Sequence, residues 1–122
     1  MRPQFRQNRS GVLGVDEISV VAYTLQMTAL KRTDQFDKWL KGLDVKTRAK
    51  ILVRLDRLAQ GNPGDVRPVG KGVSEMRIHS GPGHRVYYRQ HGGAATLLYG
   101  GDKASQKADI SKAKQIAGEL ED

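Results

Sequence analysis

The sequence of 122 residues predicts an α+β domain, with helices packed on one face of a mostly antiparallel sheet of four to five strands. Two periodicities carry this prediction. Apolar residues recur every three or four positions in 34–60 and 103–120, as in amphipathic helices. Within 73–99 they alternate with polar residues or form a short continuous run, as in strands. The resulting order is a strand, an N-terminal helical hairpin, several strands and a C-terminal helix.

The chain is long enough for one domain with a small core. Residues 1–19 show little periodicity and carry scattered arginine and polar residues, which predicts a poorly ordered N-terminal extension. We therefore expect the folded domain to span residues 20–122. The run from Val20 to Thr28 is rich in β-branched and aromatic residues and predicts the first strand.

Capping residues set the limits of the helical hairpin. Thr33 or Asp34 can begin the first helix, and Gly42 ends it. Asp44 can cap a longer second helix that Gly61 stops. The basic residues of this second helix predict a solvated face, with contact to nucleic acid or a ribosome as the alternative. They are Lys46, Arg48, Lys50, Arg54 and Arg57.

The central hairpin has apolar and cationic residues on opposite phases of a two-residue repeat. Val66–Val69 is a short edge strand after a turn at Asn62–Asp65, and it leads through Gly70-Lys71-Gly72 into the hairpin. The apolar residues coincide on one face if Arg77 lies opposite Tyr87 and His79 opposite Arg85. The other face would then gather a cationic and aromatic cluster suited to a phosphate backbone and a base. Its members are Arg77, His79, Arg85, Tyr87 and Arg89.

The loop between the last strand and the C-terminal helix is a second candidate anion site. Thr96–Tyr99 is continuously apolar, which predicts a central strand buried on both faces. Gly100–Lys103 then enters the C-terminal helix, where free amides and Lys103 can hold a phosphate. Ordinary strand-to-helix geometry explains the two glycines equally well.

Composition narrows the partners and the chemistry. The net charge of +8 favours nucleic acid, an anionic membrane surface or an acidic protein. The absence of cysteine excludes disulfides, thiol chemistry and cysteine-ligated zinc, and the three histidines lack ligand spacing, so no metal or cofactor is expected. No apolar run is long enough for a membrane span and no secretion signal is present, so a cytoplasmic protein without a membrane partner is predicted.

Arginine, lysine, tyrosine and histidine suffice for one reaction, the attack of an RNA 2′-hydroxyl on its adjacent phosphate, because the substrate supplies the nucleophile. The protein then contributes positioning, charge stabilisation, a base and an acid. His79 lies on the basic face and is the simplest proton-transfer group, while the alternative is an exposed strand histidine without a role.

The same residues resemble a known superfamily. The order of elements and five segments are similar to the RelE/ParE toxins, and within them to the HigB-like addiction module killer branch. The resemblance covers about Tyr23 to Leu120. The segments are Phe36–Leu40, Gly61–Gly70, Ser74–Ile78, Gly81–Tyr88 and Gly100–Lys103.

The resemblance implies the toxin of a type II toxin–antitoxin pair that cleaves mRNA on the ribosome without a metal. It implies proton transfer for Arg77, phosphate binding for Arg85 and assistance to the leaving group for Lys103. The implied partner is a helix-turn-helix antitoxin encoded nearby. His79 completes the predicted catalytic set. The predicted RNA-binding residues are Lys71, Tyr87, Arg89, Arg67 and Gly101.

Two positions depart from the pattern of the superfamily. Glu75 stands where RelE has a strand lysine, and Asp109 stands near the place of its C-terminal tyrosine. The acid and the base therefore stay open, with His79, Tyr87 or Asp109 as candidates. A ParE-like poison of DNA gyrase and a non-catalytic nucleic-acid-binding module are the alternative functions.

Overall fold

A computed structural model describes residues 27–120. The strands are β1 (Ala29–Arg32), β2 (Val66–Gly70), β3 (Val73–Ile78), β4 (His84–His91) and β5 (Ala94–Gly101), and the helices are α1 (Asp34–Lys41), α2 (Val45–Ala59) and α3 (Gln106–Leu120). The sheet order is β1-β5-β4-β3-β2, with β1 parallel to β5 and the other pairs antiparallel. The predicted mostly antiparallel sheet with an N-terminal helical hairpin and a C-terminal helix is confirmed. Residues 20–26 of the strand predicted at Val20–Thr28 lie outside the described residues; Met27 and Thr28 precede the first strand, which begins at Ala29. The predicted extension 1–19 lies wholly outside the described residues.

The helical hairpin begins and ends at the predicted capping residues. The Thr33 hydroxyl accepts a hydrogen bond from the Phe36 amide at 3.0 Å and donates one to the Leu98 carbonyl at 2.8 Å, which ties α1 to β5. Asp44 caps α2 by accepting from the Thr47 amide. At the other end of α2, Gly61 adopts a φ of 85° and closes the helix in a Schellman motif.

Helices cover both faces of the sheet, so the expectation of a single covered face is wrong. On one face α1 and α2 bury Phe36 and Ile51 against β3, β4 and β5. On the other face α3 buries Ala113 and Ile116 against a second cluster that includes Tyr87. The predicted central strand is confirmed, since Leu97 and Leu98 are buried in different clusters. The second cluster therefore lies on the sheet face where the alternation of residues predicts the cationic and aromatic cluster.

The register of the β3–β4 hairpin differs from the prediction by two residues. Arg77 lies opposite Arg85, and Glu75 lies opposite Tyr87. Because a shift of two keeps every side chain on its face, the predicted face was right and the predicted pairs were wrong. The turn decides the register, since the Ser80 amide bonds to the Ile78 carbonyl at 2.9 Å and the Gly83 amide to the Ser80 carbonyl at 3.0 Å.

Candidate active site

One end of the sheet carries a row of polar residues on the face that α3 covers farther along. Arg77 and Arg85 lie directly opposite each other on β3 and β4, and Gly101 on β5 lies beside Arg85. The row continues past the start of β2, where the Asp65 carbonyl accepts from the Arg77 amide at 3.0 Å. Like charges directly opposite each other destabilise a sheet. Each arginine is accordingly provided with a carboxylate, Asp65 for Arg77 and Glu75 for Arg85.

Arg85 and Lys103 meet at the β3–β4 turn. The Arg85 Nη1 donates to the Gly83 carbonyl at 3.0 Å, and the Lys103 amide donates to the Pro82 carbonyl at 3.3 Å. Gly83 has a φ of 77°, and a Cβ placed on it would lie 3.4 Å from Arg85 Nη1 and 3.5 Å from Lys103 Cβ. The positive φ favours glycine at this position, and the turn there lies against both Arg85 and Lys103.

Glu75 is a fully buried carboxylate at the next row of the sheet. Its Oε1 accepts from Arg67 Nε at 2.9 Å, and its Oε2 accepts from the Tyr87 hydroxyl at 3.1 Å and Gln106 Nε2 at 2.8 Å. The Arg85 Nε lies 3.4 Å from the same Oε2, with only 11% of the Arg85 side chain exposed. Burial raises the pKa of Glu75, but the hydrogen bonds from Gln106, Arg67 and Tyr87 outweigh it and hold this pKa below its ordinary value. The ionised Glu75 thus forms an ion pair with the nearly buried Arg85.

Asp65 joins Arg77 to His79 at the edge of the site. Its Oδ1 accepts from Arg77 Nη2 at 3.1 Å, and its Oδ2 is hydrogen-bonded to His79 Nε2. These bonds, that of His79 foremost, lower the pKa of Asp65. The His79 side chain is 74% exposed, so the imidazole is open to a ligand. The pattern Asn62–Asp65 predicts only a turn at Asp65, whereas continuing the β2–β3 register by one residue places Asp65 opposite Arg77.

Asp109 lies against the row from the side of α3. A Cβ at Gly101 would overlap the Asp109 carboxylate, so glycine is required for this approach. Burial raises the pKa of Asp109, partly offset by the hydrogen bond that the Ser105 hydroxyl donates to it, and the neighbouring charge of Asp102 adds to the rise. Gly101 therefore provides room for a carboxyl group.

The structure brings five of the nine predicted site residues to this end of the sheet. They are Arg77, His79, Arg85, Gly101 and Lys103. Arg67 lies opposite Glu75, farther along the sheet, and donates a hydrogen bond to the Glu75 carboxylate. Lys71 is exposed in the β2–β3 turn, at the opposite end of β3 from Arg77. Lys71 precedes Arg77 by six residues, which places the two about 20 Å apart at about 3.3 Å per residue.

Tyr87 and Arg89 are engaged with the interior and with α3. The Tyr87 ring is fully buried, and burial together with the charge of Glu75 raises the pKa of its hydroxyl, which stays protonated. Arg89 Nη1 donates to the Ala117 carbonyl at 3.3 Å. Base stacking by Tyr87 would therefore require α3 to move.

Two kinds of feature are absent from the part of the chain that the structure describes. Residues 27–120 hold no group of three or more histidine and acidic residues placed to bind a metal ion. None of the helices in that range has the length and apolar character needed to cross a bilayer.

Known structures share this fold. A mutant of the Escherichia coli toxin RelE in the free state superposes with a TM-score of 0.60 at 15% identity, covering 73% of this chain and 96% of that one. A chain of the toxin–antitoxin complex RelBE2 from Mycobacterium tuberculosis gives a TM-score of 0.54 at 14% identity, covering 63% and 99%. The domain therefore has the RelE fold.

The sequence places the chain in a family. The profile of the family described as "Phage derived protein Gp49-like (DUF891)" matches residues 38–120, and the chain belongs to this family. A Haemophilus influenzae protein described as uncharacterized is 46% identical over 93 residues, which are 75% of this chain and 94% of that protein. The predicted resemblance to RelE-like toxins is confirmed at the level of the fold. The HigB-like branch stays a prediction.

Proposed function

We propose that this protein is the toxin of a type II toxin–antitoxin pair and a metal-independent endoribonuclease that cleaves mRNA on the ribosome. The observation that carries the proposal is the meeting of Arg85 and Lys103 at Gly83, beside the Asp65–His79 hydrogen bond. The RelE fold supports the same function, since one structure that shares it is called a toxin and another a toxin–antitoxin complex.

The proposed reaction forms one bond and breaks one. The 2′-oxygen of the RNA attacks the adjacent phosphorus, and the bond from phosphorus to the 5′-oxygen breaks, which leaves a 2′,3′-cyclic phosphate and a 5′-hydroxyl. Arg85 opposes the charge that grows on the phosphate oxygens, a kind of contact worth about 3 kcal/mol to the transition state. Lys103, which is exposed at the turn, supplies a proton to the leaving 5′-oxygen. Arg77, opposite Arg85, adds a second cationic group.

The proposed partner is an antitoxin of the helix-turn-helix class. The chain has a net charge of +8, so we expect acidic antitoxin side chains to meet the row of Arg77 and Arg85. Complex formation should weaken as salt rises, because added ions screen exposed charges. Equal affinity at low and high salt would contradict the electrostatic part of this proposal.

The test is induced expression of the wild type and of single variants, with and without the neighbouring gene, followed by mapping of new mRNA 5′ ends. Arg85→Lys keeps the charge beside Glu75 but loses the forked guanidinium, and Lys103→Met changes an exposed side chain. We expect each to reduce cleavage about 100-fold or more. Lys112→Met, which changes an exposed lysine of α3 in the same way as Lys103→Met, is the matched control and should cleave like the wild type.

The outcomes separate the candidate functions. Growth arrest with new 5′-hydroxyl ends that Lys103→Met and Arg85→Lys suppress supports the nuclease. Growth arrest with intact mRNA and damaged DNA would overturn it in favour of a gyrase poison. RNA binding without either lesion would leave a non-catalytic binding module.

A further inference from the structure

The segment between α2 and β2 is fixed to the end of β3 by Arg54. The Arg54 Nη1 donates to the Arg77 carbonyl at 2.7 Å, and its Nη2 donates to the Pro63 carbonyl at 3.0 Å. Gly64 has a φ of 74°, and a Cβ there would lie 2.9 Å from Arg54 Nη2. Glycine therefore lets the turn pack against the guanidinium. Arg54, predicted as part of a solvated face, instead braces the turn that carries Asp65.

Both the backbone and the side chain of Asp65 are fixed. Its carbonyl accepts from the Arg77 amide at 3.0 Å, so the residue extends the ladder between β2 and β3. Each carboxylate oxygen has its own partner, Arg77 Nη2 for Oδ1 and His79 Nε2 for Oδ2. The low pKa of Asp65 keeps the carboxylate ionised at neutral pH.

The hydrogen bond to Asp65 also selects one nitrogen of His79 for chemistry. A neutral imidazole that donates from Nε2 presents Nδ1 as its acceptor. Among the described residues no group is hydrogen-bonded to His79 Nδ1, and the side chain is largely exposed. His79 follows Ile78, the last residue of β3, which lies one position beyond the pair Arg77 and Arg85. Nδ1 of His79 thus lies at the same end of the sheet as Arg85.

We propose that Asp65 is a positioning residue that, braced by Arg54, orients His79 so that Nδ1 removes the proton of the RNA 2′-hydroxyl. This inference rests on the proposed nuclease function and assigns the base that the sequence left open. In the step, Nδ1 gains the proton as the 2′-oxygen bonds to phosphorus. The P–O5′ bond breaks and the 5′-oxygen takes a proton from the Lys103 ammonium. Solvent then returns both groups to their starting protonation.

A double-mutant cycle tests the assignment through the rate of the chemical step. The substrate is labelled mRNA bound to programmed ribosomes, and the single-turnover rate at saturating toxin separates cleavage from binding. We expect His79→Ala to slow cleavage about 100- to 10,000-fold, and Asp65→Asn to slow it at least about tenfold. The toxin concentration that gives half the maximal rate should change little in either variant. In the His79→Ala background, Asp65→Asn should have no further effect.

Asp56→Asn is the matched control, because Asp56 is an exposed carboxylate of α2 bonded only to Gln60 among the described residues. It should cleave like the wild type. Equal slowing by Asp65→Asn in both backgrounds would overturn the inference, since Asp65 would then act without His79. A wild-type rate for Asp65→Asn would overturn it as well, while leaving the proposed nuclease intact.

A measurement without RNA distinguishes failure of this inference from failure of the proposed function. Nitrogen-15 NMR of the His79 ring should show the proton of the neutral form on Nε2 and engaged in a hydrogen bond, and Asp65→Ala should remove that hydrogen bond. A wild-type ring protonated on Nδ1 would refute the positioning role even if RNA is cleaved. The expected tautomer in a protein that leaves mRNA intact would refute the nuclease and, with it, the role of His79 as its base.

Discussion

Replacing Glu75 by glutamine should destabilise the fold more than any other single loss of negative charge described above. The Oε2 atom of Glu75 accepts from Tyr87 and Gln106, and its Oε1 accepts from Arg67. An amide has one oxygen, so at least one of these donors would face an NH₂ group. The charge that balances the nearly buried Arg85 would also be lost.

Breaking a buried ion pair costs roughly 3–5 kcal/mol. The Arg67 side chain is 46% exposed and can be solvated after the change, so we expect the lower end of that range, about 3 kcal/mol. With a urea dependence of about 1.5 kcal/mol per molar, the unfolding midpoint should fall by about 2 M.

Urea unfolding followed by the fluorescence of Trp39, the single tryptophan of the chain, measures this loss. Glu119→Gln is the matched control, because Glu119 is exposed on α3 and should change the midpoint little. Since the folded pKa of Glu75 lies below its ordinary value of 4.5, its stabilisation is complete above that pH. It is lost as the pH falls from 4.5 through the folded pKa. Equal unfolding midpoints for the wild type and Glu75→Gln at pH 7 would refute the reasoning. So would a difference between these midpoints that persists unchanged into strong acid.

Three further changes test the packing around the site by the same unfolding assay. Gly100→Ala should cost about 1–3 kcal/mol, because its Cβ would overlap the Trp39 ring, and an unchanged midpoint would contradict that packing. Thr33→Ala should cost about 1–2 kcal/mol by removing the cap of α1, with a matching loss of amide protection at Phe36. Burial raises the folded pKa of Asp109, so its ionisation opposes folding as the pH rises above 3.8. Asp109→Asn should therefore raise the unfolding midpoint at pH 7 and leave it unchanged near pH 3, and a lower midpoint at pH 7 would show that the charge is needed.

The local elements were predictable because their signals are local. Thr33 and Asp44 cap their helices through backbone amides three residues away, so a short stretch of sequence contains both partners. The phase of β3 was predictable for the same reason, since alternation of side chains needs no information about the neighbouring strand. The cationic residues at the end of the sheet, Arg77 and Arg85, followed from that phase.

The pairs within the site were not predictable from alternation alone. A period of two is unchanged by a shift of two residues, so the sequence could not distinguish Arg77 opposite Tyr87 from Arg77 opposite Arg85. The contacts of the Asp65 and Glu75 carboxylates with these arginines were not predictable either, for the same reason. Asp65 meets Arg77 only through the β2–β3 register, and Glu75 meets Gln106 only because α3 returns to the sheet.

By itself the sequence determined the limits of the helical hairpin, the order of the helices and of the strands that follow them, the face of each residue in β3 and the excess of positive charge. These properties depend on spacings of one to four residues and on composition. The tertiary structure alone decided which cationic residues meet, which carboxylate neutralises each, and that α3 buries Tyr87 on the face predicted for RNA. Those outcomes depend on contacts between residues far apart in the chain, which form only when turn geometry and helix packing select one register.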